Sequence, residues 1–239
     1  TELAGTELAD HSLALIVGAN RGIGLGVVKE FLSRQWDVLA TARRPSEARD
    51  LMSLGDAHPG RLGIRPLDLN DPAQLASFAD HLGSRPIDIA LVNAGVSGPE
   101  HRSADKVTAQ EIGALMFTNA IAPIRLARHL IPHLRPDKAV LAFTSSVMGS
   151  VSMNTGGHEL YRASKAALNS LTRGLYGEVD GRGLTVLTLH PGWVRTDMGG
   201  PHAAVSIEDS ARGMVEVMLR EQGRHHHVFL DYTGRELTW

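Results

Sequence analysis

At 239 residues, 43% of them hydrophobic, the chain is long enough for one large α/β domain with a well-buried core, and no Pro-, Gly- or Ser-rich linker divides residues 1–239. A formal charge of -2 gives no general attraction to nucleic acid or to an anionic membrane, and the lack of cysteine excludes disulfides, a thiolate nucleophile and cysteine-ligated zinc. No apolar run approaches the roughly 18 residues of a membrane span and the start lacks a basic signal-peptide region, so a cytoplasmic protein is expected, with residues 1–11 a flexible extension.

Residues 12–17 form a short apolar run that breaks at Gly18-Ala19-Asn20-Arg21-Gly22-Ile23-Gly24 and passes into an amphipathic stretch over 25–34. A buried strand, a glycine turn and a helix make the setting of a dinucleotide loop, where glycines admit a pyrophosphate and the helix amides hold its charge. The spacing is Gly-x-x-x-Gly-x-Gly rather than Gly-x-Gly-x-x-Gly, and an ordinary strand-to-helix turn is the plainer alternative. A second strand over 37–42 runs into Arg43-Arg44-Pro45. An NAD site wants a carboxylate at that C-terminal end, whereas a 2'-phosphate wants arginine. Asp37 lies at the wrong end of the strand. Arg43 lies at the right one and Arg21 could close on the same phosphate, so NADP(H) is the expected cofactor, against the alternative of two solvated arginines.

Residues 62–68 read as a third strand, with Asp68 and the adjoining Leu69 placed to meet an adenine edge. A helix is predicted over 72–82, with Asp71 as its cap and Pro72 at its first position. A fourth strand over 87–92 ends in Asn93-Ala94-Gly95, small residues that let a ligand lie against the sheet. The regular alternation of strand and helix predicts an α/β, doubly wound (Rossmann) parallel sheet of about seven strands, with helices on both faces and a ligand crevice at the strands' C-terminal edge.

Residues 108–134 read as one long, mainly helical segment carrying Asn119, with Pro123 four residues later. Among Phe117, Ile121 and Ile124, Asn119 could be a satisfied core amide; alternatively, it or a local break in the helix holds a water for a proton relay. A fifth strand over 139–144 ends at Ser145-Ser146, and the stretch from there to Tyr161 reads as a loop over the crevice. In Tyr161-Arg162-Ala163-Ser164-Lys165 a phenol and an ammonium share one helix face, where the cation favours the phenolate. Tyr-x-x-x-Lys also arises by chance in many helices. A sixth strand over 184–190 leads into Pro191-Gly192-Trp193-Val194-Arg195-Thr196, which turns back over the same edge, and a helix over 207–221 takes Ser206 as its cap. His225-His226-His227 runs straight into a strand, whose alternating faces would separate the rings, so no metal site is expected there.

The glycine loop, Asn93-Ala94-Gly95, the serine pair, Tyr161-x-x-x-Lys165 and Pro191-Gly192 resemble the short-chain dehydrogenase/reductase family, in order and spacing over nearly the whole chain. Pro191-Gly192-Trp193-Val194-Arg195-Thr196-Asp197-Met198-Gly199-Gly200 and the C-terminal Tyr-x-Gly-x-x-x-x-Trp are similar to its C-factor/Sniffer-like carbonyl reductase branch. The resemblance implies a catalytic tetrad of Asn119, Ser146, Tyr161 and Lys165, with Ser145 the competing serine. It implies an NADP(H) site formed by Gly18, Asn20, Arg21, Gly22, Ile23, Gly24, Arg43, Asp68, Leu69, Asn93, Ala94, Gly95, Tyr161, Lys165, Pro191, Gly192, Val194 and Thr196. Reduction of a small carbonyl compound to an alcohol is the implied reaction, and a homodimer or homotetramer the implied assembly. The rival is an NADP-binding sensing or signalling protein with little turnover. Val17 departs from the pattern, which has threonine before the first glycine, and removes a hydroxyl that helps brace the loop.

Overall fold

The computed structural model describes residues 11–239, so the extension expected over residues 1–11 lies, but for His11, outside the described residues. The seven strands are β1 (Leu13–Val17), β2 (Asp37–Ala42), β3 (Leu62–Pro66), β4 (Ile89–Val92), β5 (Val140–Thr144), β6 (Thr185–His190) and β7 (His227–Asp231). They pair in parallel in the order β3-β2-β1-β4-β5-β6-β7. The chain therefore winds outward from β1 in one direction and, after β3, restarts at β4 on its other side. That reversal opens a crevice at the C-terminal ends of β1 and β4. Register sets what meets there: Val17 pairs with Val92, so Gly18 follows beside Asn93, and Thr144 pairs with Leu189, so Ser145 follows beside His190.

The helices are α1 (Gly22–Ser33), α2 (Arg49–Ala57), α3 (Pro72–Asp80), α4 (Ala109–Met116), α5 (Ala122–Leu130), α6 (Glu159–Val179) and α7 (Ile207–Arg220). Strand residues alternate between two apolar layers. Ala14, Ile16, Leu187 and Leu189 pack with Val27, Phe31, Met214 and Met218 of α1 and α7, while Leu15, Val17, Leu141 and Phe143 pack with Leu75, Ile124, Leu168 and Leu175 of α3, α5 and α6. Because both faces are covered, the central strands carry almost unbroken apolar runs.

The predicted caps Asp71 and Ser206 act as caps, Asp71 accepting from the Ala73 and Gln74 amides and Ser206 from the Asp209 amide. Thr108, for which no capping role was expected, closes a reciprocal capping box with Glu111. Two features differ from expectation. Helix α2 is not among the expected elements; it is a short helix of 9 residues that buries Leu51 and packs Leu54 against the apolar layer. The long helix predicted over 108–134 is interrupted by a π-helical turn, Phe117–Ile121, between α4 and α5. Pro123 accounts for the interruption: it has no N–H to donate to the carbonyl four residues back, that of Asn119, and its ring would collide with it. No helix among the described residues is long and apolar enough to cross a membrane.

Candidate active site

Helix α6 buries a stripe of Leu160, Ser164, Lys165, Leu168, Asn169, Thr172, Leu175 and Val179, in which polar side chains occupy positions that packing alone would fill with apolar ones. Lys165 is 2% exposed, and its Nζ donates to Ala94 O at 3.2 Å and Thr144 O at 3.1 Å, the ends of β4 and β5. The same Nζ lies 5.8 Å from the centre of the Tyr161 ring, so the two side chains share a face, as their spacing requires. An ammonium has three donors, and two are accounted for by these carbonyls.

The electrostatics differ from the simple expectation of a cation bringing a phenol toward neutrality. Burial pushes Tyr161 up to about 12, with the Ser146 hydroxyl bond pulling it back down, and burial pushes Lys165 down to about 8. Desolvation outweighs the neighbouring charge because the ammonium is engaged with two carbonyls and is itself cut off from water. Tyr161 is accordingly held as a neutral phenol at working pH, the form that can give a proton.

Ser146 follows β5 and accepts from the Met148 amide at 3.1 Å, and its hydroxyl stands near enough to the Tyr161 phenol to pull the phenol's pKa down. Ser145 points elsewhere, donating to Asn169 Oδ1 at 2.6 Å. Of the two serines, then, the second meets the tyrosine. Asn119, fully buried in the π turn, accepts from the Val96 amide at 2.8 Å and donates to Val96 O at 2.9 Å and Ser164 Oγ at 3.0 Å. Its side chain is a satisfied core amide, and the helix is locally broken around it.

At the sheet's reversal point Gly18 has φ +77°, and a Cβ there would stand 2.1 Å from Asn93 O. Asn93 Nδ2 donates back to Gly18 O at 3.1 Å. A Cβ on Gly24 would likewise meet Gly18 O at 2.1 Å, so only glycine allows this turn to fold against β4. Helix α1 starts next to it at Gly22, with no side-chain cap and no acidic residue in its first turn. Its free amides suit an anion. Asn20 and Arg21 are exposed, Ile23 packs against the apolar layer, and Arg21 pairs with Asp197 at 2.8 Å. That pair joins the glycine loop to the turn after β6, where Gly192 has φ +87°, Val194 is buried, and the Thr196 methyl lies 3.6 Å from where a Gly22 Cβ would be. Beyond β2, Arg44 pairs with Glu47 at 2.9 Å, whereas Arg43 is exposed and makes no ion pair among the described residues. Asp68 follows β3 with one carboxylate oxygen on the Asn70 amide, and Leu69 packs on the α3/α5/α6 layer. Ala94 and Gly95 continue from Asn93, and a Gly95 Cβ would stand 3.4 Å from Lys165 Nζ, so the glycine loop and the tyrosine helix converge on one edge.

A sequence profile described as short chain dehydrogenase matches residues 12–205. The chain belongs to the short-chain dehydrogenase family. It is 38% identical over 167 residues to the C-signal protein of Myxococcus xanthus, covering 69% of this chain and all of that one. Among solved structures, it resembles a carbonyl reductase from Pseudomonas aeruginosa PAO1 in complex with NADP, at TM-score 0.90 and 42% identity over 96% of this chain and 100% of that one. It also resembles the carbonyl reductase Sniffer of D. melanogaster, at TM-score 0.86 and 30% identity over 96% and 99%.

Within this short-chain dehydrogenase, two useful side chains escaped sequence reasoning. Thr41 of β2, 1% exposed, accepts the Gly18 amide on its hydroxyl at 3.2 Å, so an adjacent strand supplies a brace where Val17 has none. A threonine at the inner end of a strand is too common to be a signal by itself. Ser164 lies inside the Tyr-x-x-x-Lys motif; it accepts from Asn119 and donates to Tyr161 O at 2.8 Å, tying the π turn to α6. The three consecutive histidines turn to different partners, though not by strand alternation, since only His227 lies in β7 and His225 has a left-handed backbone (φ +53°): His225 Nε2 meets Asp137 O, His226 meets Glu221 and His227 meets Thr188. Over the crevice, Trp193 is 58% exposed and Met153 40%, and Trp193 Nε1 donates to Gly199 O at 2.9 Å.

Proposed function

We propose that this chain is an NADPH-dependent reductase of aldehydes, ketones or quinones, working in reverse as an alcohol dehydrogenase, with Tyr161 as its general acid and base. The reading rests on one observation above all: the Ser146 hydroxyl meets the Tyr161 phenol while the Lys165 ammonium lies beneath the same ring. The P. aeruginosa neighbour with NADP bound, the uncapped N-terminus of α1 and the exposed Arg43, without an ion pair among the described residues, support NADP(H) in particular. Gly18, Asn20, Gly22, Ile23 and Gly24 would hold the pyrophosphate and Arg21 and Arg43 the 2'-phosphate. Asp68, Leu69, Asn93, Ala94 and Gly95 would line the adenosine half, with Pro191, Gly192, Val194 and Thr196 beside the nicotinamide.

When bound, NADPH supplies a hydride to the carbonyl carbon. The chain's own part is at the oxygen. Ser146 donates a hydrogen bond to it, and Tyr161, kept protonated by burial, gives its proton as the alkoxide develops. Lys165 steadies the resulting phenolate and keeps its third donor for the nicotinamide ribose. Asn119 serves through its backbone: the carbonyl that Pro123 cannot satisfy is free to take a water on the route that reprotonates Tyr161.

Tyr161→Phe removes only the hydroxyl. Turnover with NADPH and a panel of aldehydes, ketones and quinones should fall about 100- to 10,000-fold while NADPH binding, followed by fluorescence, is retained. A Phe variant that turns over near the wild-type rate overturns the assignment. Tight NADPH binding by the wild type with no turnover across the panel would favour a sensing role instead.

A further inference from the structure

Asn169 takes no direct part in the proposed reaction, yet it touches the chain on both sides of Ser146. Its Oδ1 accepts the Ser145 hydroxyl at 2.6 Å, and both residues are buried, at 4% and 2% exposure. It lies four residues beyond Lys165 and eight beyond Tyr161, on the same face of α6. Since Lys165 Nζ holds Thr144 O, two successive residues of α6's polar face grip two successive residues at the end of β5, directly before Ser146. Directly after Ser146, the short 3-10 turn Val147–Gly149 presses on the same part of the helix. A Cβ on Gly149 would stand 2.8 Å from Asn169 Nδ2 and 2.9 Å from the Lys165 carbonyl carbon, so any larger residue would push the turn off. Asn169 is itself anchored from behind, its backbone oxygen accepting the Thr172 hydroxyl at 2.8 Å.

We infer that Asn169, acting through Ser145 and the Gly149 turn, is a positioning residue that keeps the Ser146 hydroxyl aligned with Tyr161. The inference rests on the reading of Ser146 and Tyr161 as the reacting pair. The Ser145 amide is held to β6 by its bond to Leu189 O at 2.7 Å, while the buried, neutral hydrogen bond between the Ser145 and Asn169 side chains, 24 residues apart, is what ties this strand end to α6.

The test compares kcat, carbonyl KM, NADPH affinity and thermal unfolding in Ser145→Ala, Asn169→Leu, their double variant, Ser145→Thr and Met218→Ala. A misaligned Ser146 should cost about ten- to a hundred-fold in kcat in Ser145→Ala and Asn169→Leu, with NADPH affinity changed by no more than about twofold. The double variant should be no slower than the worse single one, because both remove the same contact. Ser145→Thr keeps the hydroxyl and should recover most of the lost kcat, and Met218→Ala, in the apolar layer of α7, should lower the melting temperature without lowering kcat. If Asn169→Leu does not fold, Ser145→Ala and its Thr counterpart decide the matter. Wild-type kcat in Ser145→Ala, or kcat falling in step with melting temperature across the set, overturns the positioning role. A fast Tyr161→Phe would sink the underlying reading instead, whereas a dead Tyr161→Phe beside a fast Ser145→Ala sinks the positioning role alone.

Discussion

The two faces of the sheet are built from the same strands and bury different things. On the side of α1, α2 and α7 the layer is filled with side chains such as Val28, Phe31, Met214 and Met218, all fully buried. On the side of α6 a column of Lys165, Asn169, Thr172, Thr188 and His227 is equally buried, and its members hydrogen-bond to one another or to strand ends. Burial of polar groups is unfavourable unless they are paired, so a fold that needed only stability would make both layers alike. The contrast separates packing that only holds the sheet together from packing that would also hold the proposed reacting group in place.

Substitutions on the two faces should therefore fail in different ways, and the largest effect is expected on the polar one. Lys165→Met should lower turnover about 100- to 1,000-fold in steady-state kinetics, yet leave the midpoint of urea unfolding no lower than wild type, since it removes a buried charge. A midpoint that drops sharply would make Lys165 a structural residue and blur the contrast. The pH dependence sharpens it. With Lys165 held near 8, its charge is present below that pH and lost above it, so kcat/KM for reduction should decline above about pH 8. Stability should move the other way. Between about 8 and the ordinary 10.5 the unfolded chain keeps a proton that the folded one has released, so unfolding free energy rises with pH in that window, and Lys165→Met should abolish the rise.

On the apolar face Met218→Ala, at the end of α7 remote from the crevice, should cost about 2–5 kcal/mol in denaturant unfolding with kcat of the folded enzyme unchanged. A matching loss of kcat would mean that the apolar layer also tunes the site. The smallest effect is expected outside both layers, where Arg43 is solvated. Arg43→Ala should weaken NADPH binding about tenfold, measured by fluorescence titration, and leave NADH binding alone. Equal weakening of both cofactors would remove the 2'-phosphate from its role.

Much of this was legible in the chain itself. Apolar runs of strand length, the caps Asp71 and Ser206, and the strand-to-helix glycine turn are local patterns, and local patterns fix the elements and their alternation, hence a parallel sheet and its ligand edge. The spacing of Tyr161 and Lys165 likewise placed both on one helix face without any knowledge of their surroundings. Helix α2 was missed because its apolar face is only Leu51 and Leu54, too short a pattern within 9 residues to stand out from a connecting loop.

What tertiary structure decided were matters of contact between distant segments. Ser145 and Ser146 are indistinguishable as neighbours in sequence, and only the approach of α6 shows that one meets Asn169 and the other Tyr161. The brace that Val17 lacks comes from Thr41, and the sign of the Tyr161 shift comes from enclosure by the fold, which counts for more here than the charge four residues away. Side-chain spacing along one element is set by covalent geometry and can be read from the letters. Desolvation and pairing depend on what the rest of the chain brings alongside, and that exists only once the sheet has closed around the helix.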